Sequence, residues 1–278
     1  MCLSVASLNS GSNGNCYYIE SVNDAVLIDA GISCKEIEKR MMRLGLSPQK
    51  IKAIFITHEH SDHIYGLTSF LKKYPLPVYI TPQTLKQGID VPANLVCLFK
   101  PHSAINIGEL FITAFPKLHD AVDPFSFIIT CSNVTVGVFT DIGFTCENVV
   151  HYFRQCNAAF LEANYDAEML QNGRYPFVLK KRISGDKGHL SNAQALELFI
   201  KHRPSFMSHL FLSHLSHNNN RPEIAEALFT AHADDVKIIL ASRFKETSLY
   251  AIQSMQTERR IIYLRQTTVK QLSFAFTQ

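Results

Sequence analysis

The stretch ITHEHSDHIYG, residues 56–66, places three histidines, a glutamate and an aspartate within the six positions 58–63, directly after an apolar run. Imidazole and carboxylate together, without thiolate, suit Zn, Mn or Fe and leave coordination positions open for water. In extended chain, residues two apart share a side, so His58 and His60 can converge on one point. Asp62 and His63, at the turn that follows, address a neighbouring point. That geometry would serve two adjacent divalent metal ions, with Glu59 facing solvent. The pattern is not the zincin H-E-x-x-H, because the fourth position after His58 is Asp62. A merely solvated loop is the plain alternative, which the location of the cluster disfavours.

That location follows from the elements around it. IKAIFIT reads as a buried strand, so His58 stands at a strand's C-terminal end, where open α/β sheets usually build their sites. Before it, YYIES and AVLIDAG form a hairpin through the turn-prone SVND. SCKEIEKRMMRLGL reads as a helix with Ser33 as N-cap, Glu36 as capping-box partner, Ile37, Met41 and Leu44 on one face, and Gly45 as terminator. GLTSFLKKY predicts a helix and PVYIT a strand; GELFITAF, FSFIITC and VTVGVFT follow as three more strands. SNAQALELFIKH is a helix capped by Ser191 with Gln194, and HLFLSH and VKIILA are strands flanking the helix PEIAEALFTAH. Two β-rich halves with helices outside them imply a layered α/β fold, without a low-complexity linker or a repeat legible by eye.

Composition sets the outer bounds. A chain of 278 residues, 46% of them hydrophobic, can bury a large core, and one domain spanning 1–278 is expected. No apolar run of about eighteen residues or signal-peptide pattern is present, so the expected protein is cytoplasmic, with no membrane partner. The seven cysteines are scattered and form no C-x-x-C, as suits reduced buried thiols. A net charge of +3 is too small to announce a nucleic-acid binder, so a polyanion would have to be gripped locally.

H-x-H-x-D-H after a buried strand resembles the signature of the metallo-β-lactamase superfamily, which implies a four-layer αββα sandwich. Downstream, FPKLHDA offers His119, FTDIG offers Asp141 and LSHLS offers His214, each just after an apolar strand. The resemblance implies that His58, His60 and His119 hold one metal, that Asp62, His63 and His214 hold the other, and that Asp141 bridges them. It also matches Asp29 in LIDAG to an upstream aspartate that orients metal ligands. SGSNGN, HDAVDP, GHLSN, LSHLSHNNNRPE and ASRF together resemble the YycJ/WalJ-like branch, regarded as metal-dependent DNA exonucleases acting 5′ to 3′. This likeness covers about residues 3–250. The segment 251–278 has no counterpart there and is either an extra strand or a loose tail. His217 departs from the branch, where a charged or small residue is expected.

The interval between Asp141 and His189 is too short for the cap domain of artemis-like nucleases, and no tRNA-clamping arm is visible. Ribonuclease Z shares a histidine followed by Ser and a helix, as His189 is here, and in such phosphodiesterases this histidine lies near the leaving group. GHLSN therefore tips the reading toward phosphodiester chemistry. His189 is then the acid for a poor alkoxide leaving group, and Asp62 acts alongside it as ligand and catalyst. Alternatively, His189 belongs only to the cap of its helix. Ser10, Ser12, Asn13 and Asn15 of SGSNGN are expected to line the phosphate path, unless they form a plain loop. Lys180, Lys181, Arg182 and Lys187 could grip phosphates without reading sequence, or form a solvated face. The resulting expectation is a dinuclear metallohydrolase of nucleic acid, most specifically a DNA exonuclease. The alternatives are a small-molecule hydrolase (cyclic phosphodiesterase, lactonase or thioesterase) and a non-catalytic metal-holding regulatory protein. Metal identity, sugar preference and oligomeric state are not legible in the sequence.

Overall fold

The computed structural model describes residues 3–254; Cys2 and residues 255–278 of the C-terminal segment lie outside the described residues. The first half runs β1 (Leu3–Asn9), β2 (Cys16–Glu20), β3 (Ala25–Ile28), α1 (Cys34–Arg43), β4 (Ile51–Phe55), α2 (Ser61–Ile64), α3 (Leu67–Lys73), β5 (Val78–Tyr79), α4 (Pro82–Leu85) and β6 (Val96–Cys97). The second half runs β7 (Ala104–Ile107), β8 (Leu110–Pro116), β9 (Phe125–Cys131), β10 (Val134–Phe139), α5 (Glu147–Phe153), β11 (Ala158–Glu162), α6 (Ala167–Asn172), α7 (Phe177–Ile183), α8 (Asn192–His202), β12 (His209–Ser213), α9 (Pro222–Thr230), β13 (Lys237–Leu240) and β14 (Tyr250–Ile252).

Among the described residues two seven-stranded sheets form, in the orders β14-β1-β2-β3-β4-β5-β6 and β13-β12-β11-β10-β9-β8-β7. Each joins a run of antiparallel strands to a run of parallel ones, the change falling at β3–β4 in one and at β10–β11 in the other. The halves therefore share a pairing plan that their sequences do not display. β14 returns from the second half to the first sheet, pairing Leu3 with Ile252. Residues 251 and 252 are thus strand, while the rest of the expectation for 251–278 falls almost wholly on residues outside those described.

The inner faces of the sheets meet in a core where Phe160 packs against Phe211 at 4.5 Å and Tyr17 at 4.9 Å between ring centroids. Ile37, Met41, Leu67 and Phe70 of α1 and α3 cover the outer face of the first sheet. Val149, Leu198, Phe199 and Phe229 of α5, α8 and α9 cover the second, so the layers run αββα. Apolar residues on both faces explain why the parallel strands read as unbroken apolar runs rather than alternating ones.

Local chemistry sets the element ends. Ser33 Oγ accepts from Glu36 N, but Glu36 pairs with Lys39 and Arg40 instead of completing the expected capping box. At the other end of α1, Gly45 adopts φ +70°, with Leu46 N donating to Met41 O and Gly45 N to Met42 O, a Schellman ending. The box at Ser191 and Gln194 is complete. Strands β1 and β11 escaped the sequence reading because LSVASLN carries Ser and Asn and AAFLE is short and alanine-rich; both are almost wholly buried.

Candidate metal centre

Strand ends deliver the polar residues to one place. Asp29 follows β3, His58 follows β4, His119 follows β8, Asp141 follows β10, Glu162 ends β11 and His214 follows β12. Asp29, Asp141 and His214 take the left-handed φ values +62°, +55° and +53°, rare for non-glycine residues. Such backbone persists where the surrounding structure over-determines it, and here it turns each side chain sharply off its strand. His60 is the extended N-cap of α2, and Asp62 and His63 lie in that helix.

The ligand-type atoms of His58, His60 and His119 lie within 4.8 Å of one another, as do those of Asp62, His63 and His214, and those of His58, His63 and Asp141. Hydrogen bonds fix which nitrogen each imidazole presents. His63 Nδ1 donates to Asp29 Oδ2 at 2.7 Å, and Thr57 Oγ1 donates to the same oxygen at 2.8 Å. With its hydroxyl hydrogen so engaged, Thr57 Oγ1 accepts from His58 Nδ1 at 2.9 Å. His119 Nδ1 donates to Gly188 O at 3.0 Å, and His214 Nδ1 to Glu162 Oε1 at 2.9 Å. All four rings therefore turn Nε2 inward, as metal-ligating histidines do.

The loop of β1 and β2 divides. Ser12 lines the cavity with His60, Asp62, His119, Asp141 and His189, and Asn13 lines a side recess with Tyr65. Ser10 and Asn15, expected on the phosphate path, are buried instead. Ser10 Oγ accepts from His214 N at 2.7 Å, while Asn15 Nδ2 donates to Asp62 Oδ2 at 3.2 Å and lies 3.1 Å from His63 Nε2. They brace the cluster from beneath. Gly31 is required there, since a Cβ would stand 1.8 Å from Asp62 O. Glu59 is half-buried: its Oε1 accepts from Val122 N at 2.8 Å and pins the loop after His119.

Glu162 was missed from sequence. Fully buried, it accepts from His189 Nδ1 at 2.7 Å through Oε1 and from Ile142 N at 2.8 Å through Oε2. Burial would raise its pKa, but His189 and His214 outweigh this and hold it at about 2. The only signal was its place at the end of β11, an element itself unread. Lys117, also missed, is buried with Nζ donating to Thr140 O at 2.6 Å. Of the four basic residues noted in the sequence, Arg182 lines the cavity and is tied to Asp120, whereas Lys180 and Lys181 line a separate hollow.

Residues 10–171 match the family model of the metallo-β-lactamase superfamily, more than half of the chain. The chain belongs to this superfamily. It is 34% identical over 229 residues to exodeoxyribonuclease YycJ of Bacillus anthracis, covering 81% of this chain and 87% of that one. To exodeoxyribonuclease WalJ of Streptococcus pneumoniae it is 33% identical over 224 residues, covering 78% and 83%. The metallo-β-lactamase-fold protein YhfI of Bacillus subtilis superposes with a TM-score of 0.70 at 17% identity, covering 90% of this chain and all of that one, a likeness of fold.

The metal sites of such a superfamily member can be tested on the cluster itself. His119 Nε2, His214 Nε2 and Asp141 Oδ2 are buried on residues that line the cavity and make no well-aligned hydrogen bond, although Asp120 Oδ1 lies 3.3 Å from the first, Asp62 Oδ2 3.6 Å from the second and His63 Nε2 3.2 Å from the third. Orphaned buried polar atoms cost about 1–3 kcal/mol each unless something satisfies them. Burial depresses His58 well below the ordinary imidazole value and His119 to about 4, so both stay in the neutral, ligating form. For His214 burial also opposes charge, but Asp141, Asp62 and Glu162 prevail and lift it to about 10. Asp29, Asp62, Asp141 and Glu162 surround the buried Lys117, and protons on His63 and His214 add compensating charge that a divalent cation takes over on binding. The cluster fits divalent metal.

Proposed function

We propose that this protein is a dinuclear metal-dependent phosphodiesterase acting on nucleic acid, most specifically a 5′-to-3′ DNA exonuclease of the cytoplasm. The observation that carries the reading is the pair His189–Glu162 on the same cavity as the histidine and aspartate cluster. Relatives named exodeoxyribonucleases, matched over most of both chains, support DNA as the substrate. His58, His60 and His119 would hold one ion, Asp62, His63 and His214 the other, and Asp141 would be shared between them. An oxygen- and imidazole-rich set of this kind accepts Zn, Mn or Fe. When bound, the ions lower the pKa of water toward neutrality and neutralise phosphoryl oxygens.

The chain's own residues supply the rest. Glu162 fixes His189 Nδ1, leaving Nε2 as the nitrogen available to the cavity. As the new O–P bond forms and the bond to the leaving alcohol breaks, His189 Nε2 delivers a proton to that oxygen. Arg182, held by Asp120 at the cavity wall, offers a planar donor set to a phosphate. The free thiols of Cys16, Cys34, Cys97, Cys146 and Cys156 suit a reducing compartment, and no described helix is long and apolar enough to cross a membrane. The deciding experiment incubates the protein with end-labelled single- and double-stranded DNA and RNA across Mn, Zn and Mg. Stepwise release of nucleotides from the 5′ end of DNA is the expected result. Turnover of a cyclic nucleotide, lactone or thioester with intact oligonucleotides would overturn the reading.

A further inference from the structure

Beside the metal cavity, across the Ser10–Asn13 loop, lies a second hollow of about 530 Å³, within the size range of ligand sites. Ser10, His217, Glu223, Arg243, Phe244 and Lys245 are among its walls. The link to the metal cluster is direct: Ser10 accepts from the backbone N–H of His214, and His217 lies three residues beyond that histidine. On the opposite wall the loop after β13 is held in place. Ser10 N donates to Ser242 O at 3.2 Å, Asn13 Nδ2 to Arg243 O at 3.1 Å, Thr247 N to Ser7 O at 3.0 Å, and Arg43 pairs with Glu246. This anchored loop leaves the Phe244 ring 73% exposed. His217 meets that ring edge-on at 6.2 Å and the Arg243 guanidinium lies 6.0 Å from its centroid. Among the described residues neither Arg243 nor Lys245 is committed to an ion pair, and Glu223 is the one acidic side chain on the walls.

A rigidly presented aromatic face flanked by uncommitted cations is the combination that holds unpaired nucleic acid. The ring stacks a base of any identity and the cations take the adjoining phosphates. Resting on the proposed phosphodiesterase function, we infer that this hollow binds the unpaired strand next to the scissile phosphate, with a base on Phe244 and His217 and phosphates on Arg243 and Lys245. The inference assigns His217 a role that the sequence left open. A fully paired duplex keeps its bases stacked internally and cannot offer one to Phe244.

The test compares the intact protein with Phe244→Ala and with a double variant carrying Arg243→Ala and Lys245→Ala. Single-stranded DNA, single-stranded RNA of the same sequence, and a blunt duplex serve as probes. Turnover of a small activated phosphodiester, too short to reach the hollow, reports whether the metal centre of each variant is intact. Phe244→Ala should weaken single-strand binding by about 5- to 150-fold, the range of one base–aromatic stack. The double variant should flatten the salt dependence of binding. Both effects should be larger for the single strands than for the duplex; loss with DNA alone or with both sugars supports the inference and states the sugar preference. In the unaltered protein, a photoreactive halogenated uracil in the bound strand should cross-link to Phe244 or His217. Unchanged affinity in both variants, or cross-links only elsewhere, overturns the inference while leaving the nuclease reading standing. Turnover of the small diester with no binding of any polynucleotide overturns the nuclease reading itself.

Discussion

Glu162 Oε1 accepts a hydrogen bond from His189 Nδ1 at 2.7 Å, and the same oxygen accepts from His214 Nδ1 at 2.9 Å. One buried carboxylate therefore ties a proposed metal ligand to a proposed proton donor. Its other oxygen is held by the backbone N–H groups of Ile142 and Leu190, so it cannot follow either ring if that ring moves.

If His189 acts as an acid and not as a ligand, His189→Ala should keep both metals and the fold yet lose about 10²- to 10⁴-fold in cleavage of an oligonucleotide. A diester with a nitrophenolate leaving group needs little protonation and should lose far less. Loss of metal in this variant, measured by elemental analysis, would place His189 among the ligands and reverse the division of roles.

Glu162→Gln keeps the shape but removes the charge that supports both imidazoles. Metal affinity should fall about 10- to 100-fold, the usual effect of removing a carboxylate behind a ligating histidine. Because the variant acts through two rings, turnover at saturating metal should remain depressed. Full recovery of rate with added metal would restrict Glu162 to orienting His214.

Asp62 is partly exposed in the cavity and receives a hydrogen bond from Asn15, so removing it leaves no void in the core. Asp62→Ala should lower the bound metal while the circular dichroism spectrum stays native. His214→Ala should do the same. Unchanged metal content in a folded Asp62 variant would refute its assignment as a ligand.

Gly31→Ala would drive a methyl group into the carbonyl of Asp62, at 1.8 Å, and into Asn15 N, at 2.5 Å. The backbone bond from Asn15 N to Asp62 O would have to open. Metal affinity should therefore fall although no ligand has changed, a result that calorimetric titration can read. Native affinity in this variant would show that the brace is dispensable.

Phe160→Ala removes a ring fully buried between the sheets and should cost about 3–5 kcal/mol of stability, measured by denaturant unfolding with and without metal. Saturating metal should offset part of the loss, since a ligand that binds only the folded state stabilises it by mass action.

The ligand-type residues were legible because their chemistry is local to the strand that carries them. His58, His60, Asp62, His63, His119, Asp141 and His214 each follow a readable apolar run, and a strand's end is where side chains leave the sheet. The long amphipathic helix α1 and the capped α8 declared themselves through periodicity and cap residues, and the two β-rich halves announced the layers. What sequence could not assign was decided by contacts between distant segments. Glu162 is an ordinary acid at the end of an alanine-rich run until parallel pairing of β11 with β10 and β12 sets it beneath His189 and His214. Ser10 and Asn15 look like loop residues suited to a substrate, yet closure of the β1–β2 loop buries them as supports, Asn15 against α2 and Ser10 against His214 and Ser242. The hollow at Phe244 needs the loop after β13 brought against Ser10, more than two hundred residues away in the chain. Residue type and spacing thus determined which chemistry the chain can carry out. Burial, the hydrogen bond each ring nitrogen makes and the packing of remote loops are properties of three-dimensional proximity, and they alone decided which residues support that chemistry and where a strand can lie.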